Sequence, residues 1–170
     1  MRILLTPAFC FSLLAACNTG SMPIPPVPTP TGGAGASSGD VAVDIVRYTN
    51  DARAREGLAP LNSSSRLMEA ARLHANQMAE TRRMEHTISG ARYPTMQSRL
   101  EAVGYAYWNA AENIAWNVRS SAAAVDGWMK SPPHRANILD ARLTEMGAAV
   151  ARAANGETYW IQVFGRPRTG

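Results

Sequence analysis

The sequence predicts an α+β domain, a three-layer α/β/α sandwich around a small and mostly antiparallel central sheet. Apolar residues recur at helical spacing in several stretches, which indicates amphipathic helices. Near the C-terminus, residues 146–153 and 158–164 flank Asn155-Gly156, a pair that supplies the positive φ values of a tight hairpin turn. The second of these strands is apolar on both alternating faces except at Gln162. Such a strand is covered on both sides, so helices should flank the sheet.

Helix boundaries are predicted from apolar spacing and from capping residues. Asp40 is a suitable N-cap for the first helix, and Gly104 is a stop signal for the third. His74 lies on the apolar face of the second helix, so we expect a buried histidine that is hydrogen-bonded within the core. The predicted helices cover residues 40–56, the stretch from the serine run 63–65 to 79, residues 95–103 and residues 120–130.

The N-terminal residues have the pattern of an exported and lipid-anchored protein. Arg2, a short apolar run and the small residues before Cys17 predict a lipoprotein signal peptide over residues 1–16. The ending Leu14-Ala15-Ala16-Cys17 resembles the lipobox of bacterial lipoproteins, in which the cysteine is acylated and becomes the first mature residue. We expect Cys17 to hold the protein on a membrane, in the periplasm or at the cell surface. Ordinary secretion with a free Cys17 thiol is the alternative.

The rest of the chain divides into a tether, one folded domain and a tail. Residues 17–39 are rich in Pro, Thr, Gly and Ser, a composition typical of a spacer. Residues 40–166 are expected to fold, and residues 167–170 form the tail. Because Cys10 and Cys17 both lie in the leader region, the folded domain has no disulfide and no thiol nucleophile.

The charge pattern argues against nucleic acid as a partner. The net charge of +4 is modest for 170 residues, and the basic residues are scattered along the chain. A solvated surface is expected, with attraction to anionic lipid or envelope polymer as the alternative. One domain of this size is expected to be a monomer.

Three polar residues are candidates to share one site. His134 follows the Ser-Pro-Pro break at residues 131–133, which places its imidazole at a backbone kink where it can face a cleft. His86 falls in a loop after the second helix, off the apolar register. Glu112 follows a run of aromatic residues, so partial desolvation should raise the pKa of its carboxyl group unless a cation or hydrogen-bond donors offset it.

Several motifs follow one another in a fixed order along the folded part. They are His74-Ala75-Asn76-Gln77-Met78-Ala79, His86, Ala111-Glu112-Asn113-Ile114-Ala115, the stretch 128–139 around His134, Met146-Gly147, and Tyr159-Trp160-Ile161-Gln162-Val163-Phe164. In this order they resemble the bacterial branch of the CAP superfamily, the family of cysteine-rich secretory proteins, antigen 5, plant pathogenesis-related proteins and SCP-like extracellular domains. The resemblance covers about residues 40–166.

What the resemblance implies is an α/β/α sandwich whose central cleft carries two histidines and two acidic residues. His86, Glu112 and His134 match three of these positions, and Ser131 stands where the family's second glutamate would fall. Proline at 133 and alanine at 111 also replace usual glycines. Family members have been linked to binding of sterols and other lipids, to cell-wall and defence roles, to divalent metal at the paired histidines and, with less support, to proteolysis.

The favoured function is a binding module without catalytic activity. It would hold a lipid or other envelope ligand in a polar central cleft that contains His86, Glu112, His134, Ser131 and Asn113. A purely structural hydrogen-bond network among these groups is a second interpretation. The aromatic residues that are candidates to line the cleft are Tyr105, Tyr107, Trp108, Trp116 and Trp128, of which Trp128 is more readily explained as core.

Two hydrolase mechanisms are the alternatives. A zinc-dependent hydrolase would use His86, Glu112 and His134, with zinc or another divalent metal at the paired histidines as its cofactor. The carboxylate that would serve as general base is missing where Ser131 stands. A serine hydrolase built on Ser131 or Ser89 lacks the Gly-x-Ser-x-Gly elbow. Binding or structural roles are therefore favoured over catalysis.

Overall fold

The computed structural model describes residues 37–168, so the predicted leader, Cys17 and most of the tether lie outside the described residues. Within this range five helices pack on a four-stranded sheet, which confirms the predicted α+β sandwich. No helix of residues 37–168 is long and apolar enough to cross a membrane. The elements are α1 (Ser38–Arg55), β1 (Asn62–Ser63), α2 (Ser65–Thr81), α3 (Met96–Ala102), β2 (Tyr107–Trp116), α4 (Ser121–Lys130), α5 (Pro132–Ile138), β3 (Glu145–Arg152) and β4 (Thr158–Pro167).

The sheet is mixed and mostly antiparallel, with strand order β1-β3-β4-β2. β1 pairs parallel with β3, whereas β3 with β4 and β4 with β2 are antiparallel. Strand β2 therefore lies at an edge of the sheet, and it pairs with β4 from Asn109 to Trp116 after a register shift next to Tyr107. The position of β2 matters because it carries Glu112.

Helices cover both faces of the sheet and define two cores. On one face α2 and α3 pack over Ile114, Ile161 and Val163. On the other face α1, α4 and α5 pack over Trp160 and Phe164. Successive side chains of a strand point to opposite faces, so the even-numbered residues 110–114 of β2 face α2 and α3, and its odd-numbered residues 111–115 face the other layer. Apart from Gln162, residues 159–164 of β4 supply apolar side chains to both cores, as the sequence predicts.

The predicted helices are present with small shifts of their ends. Helix α1 begins at Ser38, because Ser37 is its N-cap and Asp40 is the third helical residue of a capping box. The assignment of Asp40 as N-cap was therefore wrong by one turn. Ser120 caps α4 as expected, with its hydroxyl accepting a hydrogen bond from the Ala123 N–H.

Three features differ from the sequence prediction. Residues 107–116, for which the sequence pattern predicts no regular element, form the long strand β2. The Ser-Pro-Pro segment is not only a break: the two prolines are the first residues of α5, where missing N–H groups cost nothing. In the hairpin loop only Gly156 has a positive φ, of 89°, and the Asn155 side chain accepts a hydrogen bond from the Glu157 N–H. The loop is therefore longer than a two-residue turn.

Gly147 allows α2 to lie directly on the sheet. A Cβ atom at this position would stand 2.1 Å from the backbone carbon of Leu67 and 2.2 Å from the backbone nitrogen of Met68. Only glycine permits such an approach of two backbones. The contact sets the height of α2 above β3 and hence the position of His74 relative to β2.

Candidate functional site

The centre of the site is Glu112, a carboxylate that is 8% exposed in the middle of β2. Its Oε1 accepts a hydrogen bond from His86 Nδ1 at 2.9 Å. Arg99 in α3 donates through Nη2 to Oε2 at 2.9 Å and to Oε1 at 3.1 Å. A buried carboxylate requires such compensation, so both oxygens of Glu112 are engaged.

Burial acts to raise the pKa of Glu112, but its partners outweigh that effect. The hydrogen bond from His86 and the charge of Arg99 lower the pKa of the carboxyl group below its ordinary value. The sequence left open whether a cation would offset desolvation by the nearby aromatic residues. Arg99 is that cation, and the carboxylate is ionised at neutral pH.

Arg99 is the residue of the site that sequence reasoning missed. Its guanidinium is 1% exposed, and Nη1 donates to the backbone carbonyl groups of Tyr93 at 3.4 Å and Pro94 at 3.3 Å, while Nη2 also contacts the His86 carbonyl at 3.3 Å. One side chain thus ties the segment that carries His86 to the sheet. A carboxylate that is predicted to be buried indicates that a cation must lie beside it. Because the chain has many arginines, only the fold decides which of them is that cation.

His86 is fixed on one side and accessible on the other. Its side chain is 54% exposed, and Nδ1 is held by Glu112, whose hydrogen bond raises the pKa of the imidazole. Within residues 37–168 no group hydrogen-bonds its Nε2. The ring is therefore oriented with one nitrogen available to a ligand.

His74 lies behind Glu112, fully buried in α2. Its Nε2 is 3.9 Å from Glu112 Oε1, which is too far for a hydrogen bond. Neither ring nitrogen has a partner among the described residues, so the expected hydrogen-bonded core histidine is buried but unpaired. Burial, and secondly the charge of Arg99, lower the pKa of His74 to about 4. His74 is neutral at pH 7.

Asn113 belongs to a different hydrogen-bond network on the opposite face of the sheet. Its Nδ2 donates to Gln162 Oε1 at 3.1 Å and to the backbone carbonyl group of His134 at 3.1 Å, and its Oδ1 accepts from Asn137 Nδ2 at 2.9 Å. Gln162 Nε2 in turn donates to Thr49 Oγ1 at 2.6 Å. The side chain of Asn113 therefore connects β2 to α5 through hydrogen bonds.

His134 lies in α5, which packs against β2, and its backbone carbonyl group accepts a hydrogen bond from Asn113. Its ring is half-buried, and burial together with the charge of His86 lowers its pKa. The two histidines belong to different elements, since His86 lies in the loop between α2 and α3 and His134 lies in α5.

Ser131 joins α4 to α5 and contributes no charge to the site. It is the residue between the two helices, its N–H donates to the Trp128 carbonyl at 3.2 Å, and its hydroxyl makes no capping hydrogen bond. Within residues 37–168 no histidine ring nitrogen hydrogen-bonds a serine hydroxyl, and the loop residue Ser89 is exposed. Neither Ser131 nor Ser89 is therefore paired with a histidine among residues 37–168.

Of the aromatic residues that were candidates for the lining, Tyr105 and Trp128 lie in the cores, as expected for Trp128, and Tyr107 packs against one of them. Tyr105 is core, with its hydroxyl donating to Glu145 Oε2 at 3.0 Å. Trp128 is core as well, and its Nε1–H donates to the Ile114 carbonyl at 3.0 Å. Trp108 and Trp116 are exposed near the two ends of β2. A cavity of about 510 Å³ lies elsewhere, beside the first turns of α1 and α4.

The residues fit a divalent metal only in part. Glu112 orients His86 as a carboxylate does behind many metal-binding histidines, which leaves His86 Nε2 and a nitrogen of His134 as donors. Structural and catalytic zinc sites use three or four protein ligands. Across residues 37–168 no three His, Cys, Asp or Glu side chains come together as a metal site. The carboxylate of Glu112 is already paired with Arg99.

Five helices packed on a four-stranded, mostly antiparallel sheet form the sandwich of a CAP domain. The chain belongs to this family: residues 46–164 match the model for CAP, the cysteine-rich secretory protein family. Among relatives, the uncharacterized membrane protein YlbC of Bacillus subtilis is 34% identical over 120 residues, which are 71% of this chain and 33% of YlbC. YkwD of the same organism is 29% identical over 120 residues, which are 71% of this chain and 45% of YkwD.

Solved structures have the same fold. An extracellular protein with an SCP domain from Bacillus anthracis superposes with a TM-score of 0.68 at 26% identity, over 76% of this chain and 41% of that protein. An outer surface protein from Borrelia burgdorferi superposes with a TM-score of 0.66 at 18% identity, over 73% of this chain and 90% of that one. The chain spans less than half the length of YlbC, YkwD and the Bacillus anthracis protein. Of these proteins, YlbC is a membrane protein and the Bacillus anthracis protein is extracellular, whereas the likeness to the Borrelia burgdorferi protein shows the fold alone.

Proposed function

We propose that this CAP domain binds a lipid or other envelope-derived ligand through the paired histidines at the edge of β2. One observation carries the proposal: the half-exposed His86 ring is held from behind by Glu112, which is itself neutralised by the buried Arg99. A rigid, charge-balanced support under an accessible polar group is what ligand recognition needs.

Binding is favoured over hydrolysis by the state of Glu112. A general base or a metal-activated mechanism requires a carboxylate with a free oxygen within reach of water or substrate. Both oxygens of Glu112 accept hydrogen bonds, and its side chain is 5% exposed. The fold alone does not choose between these functions, because function depends on the site.

We further propose that the domain is exported and held at a membrane by acylated Cys17. The leader and the Leu-Ala-Ala-Cys ending support this proposal, as does the presence of extracellular and surface proteins among its relatives. Labelling cells with a radioactive fatty acid tests it. Label should be incorporated by the natural chain and lost in Cys17→Ser, and label that persists in the variant would disprove lipidation.

Ligand binding is tested with the full-length protein and a lipid extract of bacterial envelopes. The natural protein should retain specific lipids, and His86→Ala combined with His134→Ala should lose them. Ser89→Ala, an exposed change in the same segment as His86, is the matched control and should bind normally. Equal retention by the double variant would show that the histidines are not the binding site.

A further inference from the structure

We propose that the free edge of β3 binds an extended polypeptide segment of a partner protein, with alternating acidic and apolar side chains, as an added strand of the sheet. This edge lies on the far side of the sheet from β2, because the strand order is β1-β3-β4-β2. The surface is therefore separate from the histidine site and does not depend on the function proposed for that site.

Strand β1 leaves most of β3 without a neighbour on this side. β1 has only two residues, whereas β3 continues to Arg152. The Ala148 N–H points away from β4 and donates to Met68 Sδ at 3.1 Å. Because main-chain groups alternate in direction along a strand, the N–H and C=O groups of Val150 and Arg152 point to the same free side. Among residues 37–168 no main-chain group of another strand pairs with them.

Two cavities lie beside this edge and share part of their lining. The first cavity, of about 510 Å³, lies on the α1 and α4 side, and the second cavity, of about 760 Å³, lies on the α2 side. Both are lined by Ser38 and by residues 150–152. The side chains of an added strand would alternate between the two cavities. Peptides that extend a sheet bind in this way, with affinity from main-chain hydrogen bonds and specificity from pockets for alternate side chains.

The first cavity is basic. Arg119 and Arg152 line it and are exposed, and neither forms an ion pair with a residue of the range 37–168. Arg152 Nη1 donates to the backbone carbonyl group of Gly156 at 2.6 Å. The acidic residue of the same cavity, Asp44, is paired with Arg47 at 2.9 Å. Charge complementarity therefore favours an acidic side chain on this side of an added strand.

The second cavity has an apolar part and little net charge. Ala79, Ala151 and Ala153 line it and belong to the core under α2 or pack against that core. Glu80 and Arg82 line the same cavity, are both exposed and have opposite charges. A small apolar side chain such as valine fits this side.

A second copy of the chain is a poorer occupant of this edge. Antiparallel pairing of two β3 edges would bring the first cavities of both copies together, with Arg119 and Arg152 in each. Like charges on neighbouring strands are destabilising. A partner segment with acidic residues at alternate positions gains from the same charges.

The experiment measures fluorescence anisotropy of a labelled hexapeptide of alternating valine and glutamate with the full-length protein. We expect saturable binding that weakens with added salt, and binding about tenfold weaker when lysine replaces glutamate. Two further probes carry N-methyl groups on the valines or on the glutamates. Only one of these sets directs its N–H groups at β3, so one probe should bind normally and the other should not bind. Equal binding of the two would disprove strand addition.

Charge and backbone variants test the same surface from the protein side. Arg119→Glu combined with Arg152→Glu should weaken binding of the glutamate probe about tenfold or more and favour the lysine probe. Arg55→Glu, the same change at the other end of α1, is the control and should bind normally. Val150→Pro removes an N–H on the free side of an edge strand and should abolish binding. Thermal melting shows whether this variant folds, and the charge variants test the surface if it does not.

The outcome is distinguishable from that of the histidine site. His86→Ala combined with His134→Ala should bind the glutamate probe normally, and its loss of binding would contradict a separate surface. Absence of saturable binding up to about 1 mM, or equal affinity for the glutamate and lysine probes, would overturn the proposal. A dimer that Val150→Pro abolishes would show that a second copy covers this edge, and would also overturn it.

Discussion

Glu112 and Asn113 are adjacent in β2, and their side chains lie on opposite faces of the sheet. Glu112 contacts Arg99 and His86 beneath the α2 and α3 layer. Asn113 contacts Gln162 and the backbone of His134 beneath the other layer. One network therefore holds the imidazole of His86, and the other holds the backbone of His134.

Removing the counter-ion of Glu112 should be among the most destabilising single changes. Arg99→Met would leave a carboxylate that is 5% exposed without a cation, at a cost of about 3–5 kcal/mol in the free energy of unfolding. Urea denaturation at pH 7 measures the loss. Arg72→Met, which breaks the exposed pair with Glu69, is the control and should cost at most about 1 kcal/mol. Equal effects would mean that the buried pair is not a structural support.

His74 should make the fold sensitive to mild acid. Its pKa is about 4 in the folded protein against the ordinary 6.5, so the unfolded chain takes up the proton first as the pH falls. The His74 contribution is therefore unfavourable below pH 6.5 and grows until about pH 4, to about 3 kcal/mol at most. Unfolding free energies at intervals over this range measure it.

The matched variant for this measurement is His74→Leu. It removes the titrating group together with two ring nitrogens that have no partner among residues 37–168, so we expect equal or higher stability at pH 7. The natural protein should lose more stability than the variant between pH 6.5 and pH 4. Parallel pH curves for the two proteins would contradict the assignment of a neutral buried histidine.

Asn113 should control the position of His134 without touching its ring. Asn113→Ala removes the hydrogen bonds to the His134 carbonyl, Gln162 and Asn137, and leaves buried partners unsatisfied at a cost of about 1–3 kcal/mol. Amide hydrogen exchange in α5 should accelerate, and the His134 imidazole resonances should shift. Asn109→Ala, on the same strand outside this network, is the control. Unchanged α5 exchange in Asn113→Ala would show that helix packing alone positions His134.

Replacing glycine with alanine should have opposite effects on stability at positions 147 and 127. Gly147→Ala forces Cβ to within 2.1 Å of α2 backbone, so overpacking should cost about 1–3 kcal/mol or more. Gly127→Ala, in the middle of α4 with nothing within 4 Å of the new Cβ, should stabilise by about 0.5–1 kcal/mol. Thermal melting of the two variants compares them directly. A tolerated Gly147→Ala would mean that α2 can move away from the sheet.

The order of the four predicted helices and the closing hairpin could be predicted from sequence because each depends on local chemistry. Helical spacing and capping residues define α2 and α4, and the doubly apolar strand with its single Gln162 predicts covered faces. The family motifs directed attention to His86, Glu112 and His134. These signals are carried by neighbouring residues and need no knowledge of the tertiary fold.

Tertiary structure alone decided how these residues are used. Glu112 obtains Arg99 as its cation because α3 packs beside β2, and no local pattern distinguishes that arginine from the others. Side chains of a strand alternate between the two faces of the sheet. This rule places Glu112 and Asn113 on opposite faces only once the stretch is known to be a strand at the edge of the sheet. Sequence alone determined which polar groups the chain carries, whereas long-range packing decided which oxygens and nitrogens are satisfied and which remain for a ligand.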